Sequence, residues 1–191
     1  MKPAVFLDRD GTLNVDVGYL DRRERLALFP WSLDSIRLLR RAGYAVVVVT
    51  NQAGVARGMV DDRFVEEVHR FIQARLGDIG EQLDGYYYCP HEPSALVEAF
   101  RVDCDCRKPK PGLITRAVRD LGLDVTRSVV VGDKWSDIRI AQATGARGVL
   151  VRTGYGSSQE LVPVDGLVAD AIVDTLMDAV SWILRHPPIA N

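Results

Sequence analysis

Apolar residues follow two alternating patterns along this chain, short continuous runs and longer stretches with helical spacing. The continuous runs predict buried β-strands, because parallel strands covered on both faces are apolar throughout. They lie at Ala4–Leu7, Ala45–Val49, Tyr86–Cys89, Val129–Val131 and Gly148–Val151. The longer stretches predict helices from Pro30 to Gly43, from Asp61 to Leu76, from Gly112 to Gly122, over Ile138–Ala143 and over Ala171–Leu184. Strands that alternate with helices predict an α/β fold with a doubly wound, mostly parallel sheet.

The segments between these elements are polar, glycine-containing or irregular, and they predict loops at Asn14–Arg25, Ala53–Met59 and Pro90–Pro109. The second predicted helix has an inward face that comprises Phe64, Val68, Phe71, Ile72 and Leu76. The last residues, after His186-Pro187-Pro188, are expected to fray. Neither an internal repeat nor an interdomain linker interrupts the pattern, so we expect one domain spanning residues 1–191.

Composition narrows the functions that this domain can have. The chain has 191 residues, of which 47% are hydrophobic, and a formal net charge of -2. It has no basic run or aromatic-basic face, so nucleic acid is not an expected partner, and its apolar runs are too short to span a membrane. The first apolar run ends at Asp8, too early for a signal peptide, so a cytoplasmic location is expected.

The stretch Asp8-Arg9-Asp10-Gly11-Thr12 follows the first predicted strand and carries the strongest chemical signal. Side chains alternate along a strand, so Asp8 and Asp10 start on the same side, and Gly11 lets the backbone turn away sharply. Two close carboxylates repel each other unless a cation neutralises them, and Mg²⁺ prefers such oxygen ligands. A carboxylate beside Mg²⁺ can attack a phosphoryl group and form an aspartyl-phosphate. A loop with solvated acids is the alternative for this motif taken alone.

Three further polar clusters favour the catalytic interpretation. Thr50-Asn51-Gln52 and Gly132-Asp133-Lys134 each follow a predicted strand, and the basic segment Arg107–Pro111 precedes a predicted helix. Ligands bind at the carboxyl ends of the strands in doubly wound sheets. We therefore expect these clusters to converge on one site.

The three cysteines and one histidine form two short pairs, Cys89-x-His91 and Cys104-x-Cys106. Three thiolates and an imidazole are a tetrahedral ligand set for structural Zn²⁺. An odd, clustered number of cysteines in a chain without an export signal favours a metal site over disulfides. Zinc would hold a loop over about residues 89–106 and would set the position of the basic segment that follows it. Three free thiols and a surface histidine are the alternative.

The order, spacing and strand context of these clusters resemble those of the haloacid dehalogenase (HAD)-type phosphohydrolases, from about Phe6 to Val151. The resemblance implies that the Mg²⁺ ligands are Asp8, Asp133 and the backbone carbonyl of Asp10. The catalytic roles that it implies are Asp8 as the nucleophile, Asp10 as the general acid/base, Thr50 as the holder of a phosphoryl oxygen and Lys108 as the lysine that neutralises the nucleophile and the phosphate.

Residues beside the matched positions leave some choices open. Asn51 and Gln52, next to Thr50, are expected to contact the substrate. Lys108 is preferred as the phosphate lysine, although Lys110 lies two positions away and could take its place.

The next residues each have a functional and a structural interpretation. Lys134 contacts the substrate or is solvated, and Asp137 either orients Lys134 or a metal-bound water, or is an acid at a helix start. Arg57 is a solvated loop residue or touches the substrate. His69 and His186 have no identifiable partners and are expected to be ordinary.

Cys-Pro-His followed by Cys-x-Cys-Arg-Lys-Pro-x-Pro-Gly resembles the D-glycero-D-manno-heptose 1,7-bisphosphate 7-phosphatases. This resemblance implies a compact, capless enzyme, since helix and zinc loop occupy much of the stretch between Thr50 and Lys108. It implies that Arg107 recognises a second phosphate, with a surface arginine as the alternative. The sugar site would be lined by Asp16, Val17, Gly18 and Tyr19.

The implied reaction is Mg²⁺-dependent removal of the 7-phosphate from a small-molecule sugar phosphate by a monomeric enzyme. Its product, heptose 1-phosphate, would enter ADP- or GDP-heptose synthesis for lipopolysaccharide or another surface glycan. Histidinol-phosphate phosphatases carry a similar zinc loop, so histidinol phosphate is the alternative substrate, and Asp16 could face its amine. A catalytically silent binding module on the same fold is a third hypothesis, but it requires a damaged constellation, whereas the matched residues are intact.

Overall fold

Six strands form one parallel sheet in the computed structural model, which describes residues 1–188. They are β1 (Lys2–Leu7), β2 (Ala45–Asn51), β3 (Gly85–Cys89), β4 (Leu123–Gly132), β5 (Arg147–Val151) and β6 (Ala171–Val173). Their order across the sheet is β3-β2-β1-β4-β5-β6, and each neighbouring pair is parallel. The expected α/β fold with a doubly wound parallel sheet is thereby confirmed. The expected fraying of the chain end falls on residues 189–191, which lie outside the described residues.

Seven α-helices lie in the same part of the chain: α1 (Ser32–Arg41), α2 (Ala53–Ala56), α3 (Asp62–Gly77), α4 (Gly112–Leu121), α5 (Trp135–Thr144), α6 (Gly156–Glu160) and α7 (Leu176–Arg185). Apolar side chains of α1, α3 and α7 pack in one core cluster with the sheet, and those of α4 and α5 pack in another. Within residues 1–188, none of these helices is both apolar and long enough to cross a bilayer.

The central strands are apolar throughout because helices cover both of their faces. In β1, Val5 and Leu7 belong to one core cluster, whereas Ala4 and Phe6 belong to the other. All four side chains are fully buried. A strand in this position has no solvated face, which explains its continuous apolar sequence.

Two helix boundaries follow the local signals in the sequence. Asp61 precedes α3 and accepts a hydrogen bond from the backbone N–H of Phe64, as an N-cap does. Gly122 follows α4 in the left-handed conformation, with a φ of 63°. Both ends were expected from these residues.

The C-terminal region differs from the predicted helix over Ala171–Leu184. Ala171–Val173 instead pairs with β5 as the edge strand β6. The helix starts only at Leu176, because the side chains of Thr175 and Asp178 form reciprocal hydrogen bonds with each other's backbone N–H groups. This capping box stops the helix from extending back into the strand.

Other boundaries also differ from the sequence-based expectations. The strand predicted at Val129–Val131 begins already at Leu123, and the predicted loop Ala53–Met59 contains α2. Helix α3 buries Val65 rather than Phe71, because the buried stripe runs along positions 65, 68, 72 and 76. Between β2 and the basic segment the chain forms only α2, α3, β3, a short 3-10 helix and the cysteine loop, so the expectation of a capless fold is confirmed for the described residues.

Candidate active site at the carboxyl edge of the sheet

A cavity of about 100 Å³ lies where the predicted clusters meet, at the carboxyl edge of the sheet. The ends of β1 and β2, the loop after β1, the segment before α4 and the start of α5 contribute its lining. The lining residues are Asp8, Asp10, Asp16, Gly18, Thr50, Asn51, Lys108, Lys134 and Ser136. Ser136 is the one that sequence reasoning did not single out. The predicted magnesium ligand Asp133 does not line the cavity, and neither do four predicted substrate contacts, namely Val17, Tyr19, Gln52 and Arg107.

Lys108 is buried at the centre of this site. Its Nζ lies 2.9 Å from Oδ1 of Asp8 and 2.6 Å from Oδ1 of Asp137, and it donates to the carbonyl of Val49 at 3.0 Å. Burial alone would lower the pKa of Lys108, but the two carboxylates raise it above its ordinary value. Lys108 is therefore an ammonium group that faces the predicted nucleophile.

Lys110, the alternative phosphate lysine, lies elsewhere. Its ammonium pairs with Asp103 on the surface, and both side chains are largely exposed. The geometry therefore favours Lys108 for contact with a phosphate in the cavity.

Asp137 lies at the start of α5, as one of its two interpretations predicted, and it makes a second contact that neither interpretation named. Its Oδ2 accepts a hydrogen bond from the backbone N–H of Lys134, which starts α5, while its Oδ1 holds Lys108. The residue is fully buried, and burial raises its pKa despite the nearby Lys108. The pairing with Lys108 was not foreseen, because the two residues are 29 positions apart in the chain.

The surroundings of the Asp133 carboxylate show whether the site suits a cation. The residue is fully buried at the end of β4, and its Oδ2 accepts a hydrogen bond from the backbone N–H of Tyr155 at 2.8 Å. Within the described residues its Oδ1 accepts no hydrogen bond, and the ammonium of Lys134 lies 3.5 Å from it. Burial, together with the charge of Asp8, raises the pKa of Asp133 to about 7. One oxygen each from Asp8, Asp133 and Asp137 lies within 4.8 Å of the others, so this oxygen set fits Mg²⁺.

Two glycines make room for the Asp133 carboxylate. Gly11 and Gly154 have φ angles of 85° and 59°, a conformation that side chains disfavour. A Cβ atom at either position would overlap Oδ2 of Asp133. The sharp turn predicted at Gly11 is therefore present, and it also serves the carboxylate on β4.

Asp10 is held by a buried arginine that sequence reasoning missed. The guanidinium of Arg9, only 1% exposed, donates to Oδ2 of Asp10 at 2.7 Å and to Oδ1 at 3.0 and 3.1 Å. Asn14 and Gln52 each donate a further hydrogen bond, at 2.9 Å. Burial alone would raise the pKa of Asp10, but the charge of Arg9 and these hydrogen bonds lower it. An arginine directly between two strand-end acids was the available signal.

Asn51 and Gln52 both lie beside Thr50, as expected. The Asn51 side chain forms two hydrogen bonds with the backbone of Lys108, at 3.0 and 3.2 Å, and so joins the end of β2 to the basic segment. Gln52 donates to Oγ1 of Thr50 at 3.0 Å as well as to Asp10. Their contacts within the chain are thus to other members of the site.

The loop after β1 closes one side of the cavity. Oδ2 of Asp16 lies 3.3 Å from Nζ of Lys134, and its Oδ1 accepts a hydrogen bond from the backbone N–H of Gly18. Lys134 also lies 4.7 Å from the centre of the Tyr155 ring. Lys134 is therefore a partly exposed cation that faces the cavity and is not simply solvated.

Two arginines meet on Glu92 at the outer side of the site. Arg57 donates to both carboxylate oxygens of Glu92, at 2.9 and 3.0 Å, and its guanidinium lies 5.1 Å from the ring centre of Tyr19. Arg107 lies 3.7 Å from the same carboxylate and donates to the carbonyl of His91 at 2.9 Å. Arg107 is thereby tied to the cysteine loop, directly before Lys108, which lines the cavity.

The cysteine loop brings its four predicted ligands together. The Sγ atoms of Cys89, Cys104 and Cys106 are 3.1 to 3.5 Å apart, and Nδ1 of His91 lies 3.3 Å from Sγ of Cys106. These sulfur distances exceed the disulfide bond length of about 2.05 Å. All four ligand atoms lie within 4.8 Å of one another, a compact tetrahedral set that fits one zinc ion.

Comparisons with known proteins agree with this arrangement. Residues 105–179 match the HAD-hydrolase-like family. The chain is 41% identical over 173 residues to the D-glycero-beta-D-manno-heptose-1,7-bisphosphate 7-phosphatase of Photorhabdus laumondii, covering 90% of this chain and 92% of that protein. It is 42% identical over 177 residues to the enzyme of the same name from Escherichia coli K12, covering 92% of this chain and 91% of that protein.

Solved structures give the same result. The D,D-heptose 1,7-bisphosphate phosphatase from B. bronchiseptica, crystallised with magnesium and phosphate, superposes with a TM-score of 0.85 at 30% identity. The match covers 96% of this chain and 99% of that one. With this identity over nearly the full length of its relatives, the chain belongs to the D-glycero-beta-D-manno-heptose-1,7-bisphosphate 7-phosphatases of the HAD-like family.

Proposed function

We propose that this protein is a Mg²⁺-dependent phosphatase that removes the 7-phosphate of D-glycero-β-D-manno-heptose 1,7-bisphosphate and releases heptose 1-phosphate. The substrate and its β-anomer follow the name shared by the relatives, which cover nearly the whole chain. The chemistry rests on one observation, the buried contact between Asp8 and the ammonium of Lys108. Histidinol phosphate is not favoured by these relatives, and a silent binding module would not need the buried cluster.

Asp8 acts as the nucleophile in the first step. Its Oδ1 accepts the backbone N–H of Arg9 and faces Lys108, which leaves Oδ2 for attack. Oδ2 forms a bond to phosphorus, and the bond from phosphorus to the sugar oxygen breaks with its electron pair on that oxygen. Because Arg9 and the neighbouring donors lower the pKa of Asp10, Asp10 must first take up a proton, which a phosphate monoanion can bring into the site. Asp10 passes this proton to the departing oxygen, so the sugar leaves as an alcohol.

The second step returns the enzyme to its starting state. Asp10, now a carboxylate, takes a proton from a water molecule whose oxygen bonds to phosphorus. The bond from phosphorus to Oδ2 of Asp8 then breaks, and inorganic phosphate leaves. Lys108 and the hydroxyl of Thr50 stabilise the negative charge on the phosphoryl oxygens during both steps.

The cation expected here is Mg²⁺, which would be held by Asp8, the backbone carbonyl of Asp10 and Asp133. The closeness of Asp8 and Asp133, and the Oδ1 of Asp133 that accepts no hydrogen bond, support two of these three ligands. When bound, Mg²⁺ neutralises charge on Asp8 and on the phosphate, which would otherwise repel each other. Asp137 holds Lys108 and is not needed as a direct ligand.

We assign the sugar and the 1-phosphate of the substrate to the loop after β1, Lys134 and Arg107, which belong to the more exposed outer part of the site, called the rim below. Asp16, Val17, Gly18 and Tyr19 would contact the sugar, and Lys134, which faces the cavity beside Asp16, would contact substrate oxygens. Arg107 would bind the 1-phosphate, because a guanidinium offers a planar fork to phosphate oxygens. Asn51 and Gln52 would contact the substrate beside Thr50.

The cysteine loop would hold a structural Zn²⁺ through Cys89, His91, Cys104 and Cys106. Four protein ligands fill a tetrahedral site and leave no place for a substrate, which supports a structural rather than a catalytic ion. Because Arg107 donates to the carbonyl of His91, ordering this loop also orders Arg107. We further propose a cytoplasmic monomer whose product feeds nucleotide-activated heptose synthesis.

The deciding experiment compares kcat/KM for the two anomers of heptose 1,7-bisphosphate and for histidinol phosphate, each with Mg²⁺. The β-anomer should be preferred, phosphorus NMR should identify heptose 1-phosphate as the product, and chelation of Mg²⁺ should abolish turnover. A preference for histidinol phosphate would overturn the substrate assignment but not the chemistry. Mg²⁺-independent turnover that persists in Asp8→Asn would overturn the chemistry.

A further inference from the structure

Gln52 joins three members of the site through one amide group. Its Nε2 donates to Oδ2 of Asp10 at 2.9 Å and to Oγ1 of Thr50 at 3.0 Å, while its Oε1 accepts from Arg9 at 2.9 Å. An amide has two donor hydrogens and one carbonyl, so both of its ends are engaged. Gln52 does not line the cavity, whereas Asp10 and Thr50 do.

The carboxylate of Asp10 is located by donors from three directions. Arg9 donates hydrogen bonds to both oxygens, Asn14 donates to Oδ1, and Gln52 donates to Oδ2. The guanidinium of Arg9 is fixed in turn, because its Nη2 also donates to Gln52 and its side chain is only 2% exposed. Arg9 and Gln52 therefore hold each other as well as Asp10.

The hydrogen bond to Thr50 has a directional consequence. Oγ1 of Thr50 accepts a hydrogen bond from Gln52, so the hydroxyl proton of Thr50 is free to point toward the cavity. The Gln52 amide thus orients the Thr50 hydroxyl so that it can donate to a phosphoryl oxygen. The same amide holds Asp10 beside the same cavity. One side chain couples the position of the phosphate with the position of the acid.

We propose that Gln52, supported by Arg9, is a positioning residue that aims the carboxyl group of Asp10 at the leaving oxygen. The proposal rests on the function proposed above, in which Asp10 gives a proton to that oxygen, and it adds which residues make the transfer efficient. It also gives Gln52 a role through Asp10 rather than through direct contact with the sugar.

The dependence of the hydrolysis rate on the leaving group distinguishes a positioning role of Gln52 from a merely structural one. An alkoxide is strongly basic and needs a proton as it departs, whereas p-nitrophenolate departs without one. Misplacing the acid should therefore slow hydrolysis of an alkyl phosphate and spare p-nitrophenyl phosphate. The value of kcat/KM reports this step, because hydrolysis of the aspartyl-phosphate is the same for every substrate.

The test variant is Gln52→Met, which removes both donor bonds with little change in volume. Its kcat/KM should fall about ten- to a hundredfold further for heptose 1,7-bisphosphate than for p-nitrophenyl phosphate. Arg9→Lys, which keeps the charge but loses the planar fork, should show the same selective loss. Gln142→Met, on the exposed side of α5, is the matched control and should leave both substrates unaffected.

Thr50→Val provides the contrasting pattern. The hydroxyl of Thr50 acts on the phosphoryl group that both substrates share, so its removal should slow both by the same factor. If Gln52→Met also slows both substrates equally, or raises only the KM of the heptose bisphosphate, the proposal is overturned. Folding of each variant is checked by its melting temperature, and Gln52→Met remains informative if Arg9→Lys fails to fold.

Failure of the proposed function gives a different result. If the wild type does not hydrolyse heptose 1,7-bisphosphate, the substrate assignment fails, and glycerol 3-phosphate can replace it as the alkyl phosphate. The ratio of alkyl to aryl phosphate hydrolysis then still decides the role of Gln52.

Discussion

The catalytic cluster and the rim of the site are both rich in charge, but they differ in exposure. In the cluster, the side chains of Asp8, Lys108 and Asp137 are 1 to 7% exposed. In the rim, those of Arg57, Glu92, Arg107, Asp16 and Lys134 range from 9 to 44%. Water screens the rim pairs, whereas each buried charge depends on its partners. The cluster therefore carries chemistry that tolerates little change, and the rim carries contacts that can adapt to a substrate.

The largest expected effect comes from the nucleophile. Asp8→Asn removes the attacking oxygen while preserving shape, so kcat should fall by at least about a thousandfold. The loss should be similar for every phosphate ester, because all share the aspartyl-phosphate. Rapid-quench assays with ³²P-labelled substrate should detect a phosphoenzyme in the wild type and none in the variant. A labelled phosphoenzyme in Asp8→Asn would assign the nucleophile elsewhere.

The difference in burial can be measured with two Lys–Asp pairs. Asp137→Ala removes a fully buried partner of Lys108 and should reduce the free energy of unfolding by about 3–5 kcal/mol. Asp103→Ala removes the exposed partner of Lys110 and should leave it nearly unchanged. Urea denaturation of both variants makes the comparison. Equal losses would mean that burial does not distinguish the two regions.

A variant of the cysteine loop tests whether bound zinc is needed to hold Arg107 in the rim. Cys104→Ser should lose the bound zinc, lower the melting temperature by about 5–10 °C and raise the KM for the bisphosphate. The cause is the loosening of the segment that holds Arg107. Zinc content is measured by mass spectrometry alongside activity. Unchanged zinc content and activity would contradict the metal-loop hypothesis.

The affinity for Mg²⁺ should depend on pH through the cluster and not through the rim. The carboxyl of Asp133 is protonated below its raised pKa of about 7, and the proton must leave before the cation binds. Mg²⁺ affinity should therefore rise as the pH increases from 5 to 7, by up to about tenfold per pH unit, and then level off. Isothermal titration calorimetry at several pH values measures it. A constant affinity over this range would mean that Asp133 is ionised throughout.

The smallest expected effect concerns the distal phosphate. Arg107→Ala should lower kcat/KM for heptose 1,7-bisphosphate about tenfold and leave kcat/KM for p-nitrophenyl phosphate unchanged, because only the first substrate has a second anion. Lys110→Ala, three positions along the same segment, is the control and should change neither. Equal losses on both substrates would show that Arg107 acts on the cluster through Lys108.

The cluster was largely predictable because polar residues that end a continuous apolar run are conspicuous. Asp8, Thr50 and Asp133 each follow such a run, and parallel strands bring their ends to one edge. The partners of these residues were not predictable in the same way. The sequence allowed Asp137 to orient Lys134 or a metal-bound water, or to be a helix-start acid, and its contact with Lys108 depends on tertiary packing. No role was predicted for Arg9, although it is only 1% exposed and holds Asp10.

The parts of the fold that were missed are short or weakly patterned. The strand β6 has three residues, and its sequence continues into apolar residues at helical spacing, so a helix was predicted over both. Helix α6 consists of Gly156, Glu160 and three polar residues between them, which carry no apolar periodicity. Its start next to β5 is set by close packing, since a Cβ at Gly156 would overlap the carbonyl of Val151.

The glycine cradle around Asp133 offers a way to silence the enzyme without altering any of its charges. Adding one methyl group, as in Gly154→Ala, would press on the Asp133 carboxylate while Asp8, Asp10, Lys108 and the whole rim keep their chemical identity. The added methyl group would also press on the backbone of Gly11, but every side chain proposed to contact the sugar and the distal phosphate would remain. It would serve as a substrate trap whose bound ligand is held but not hydrolysed.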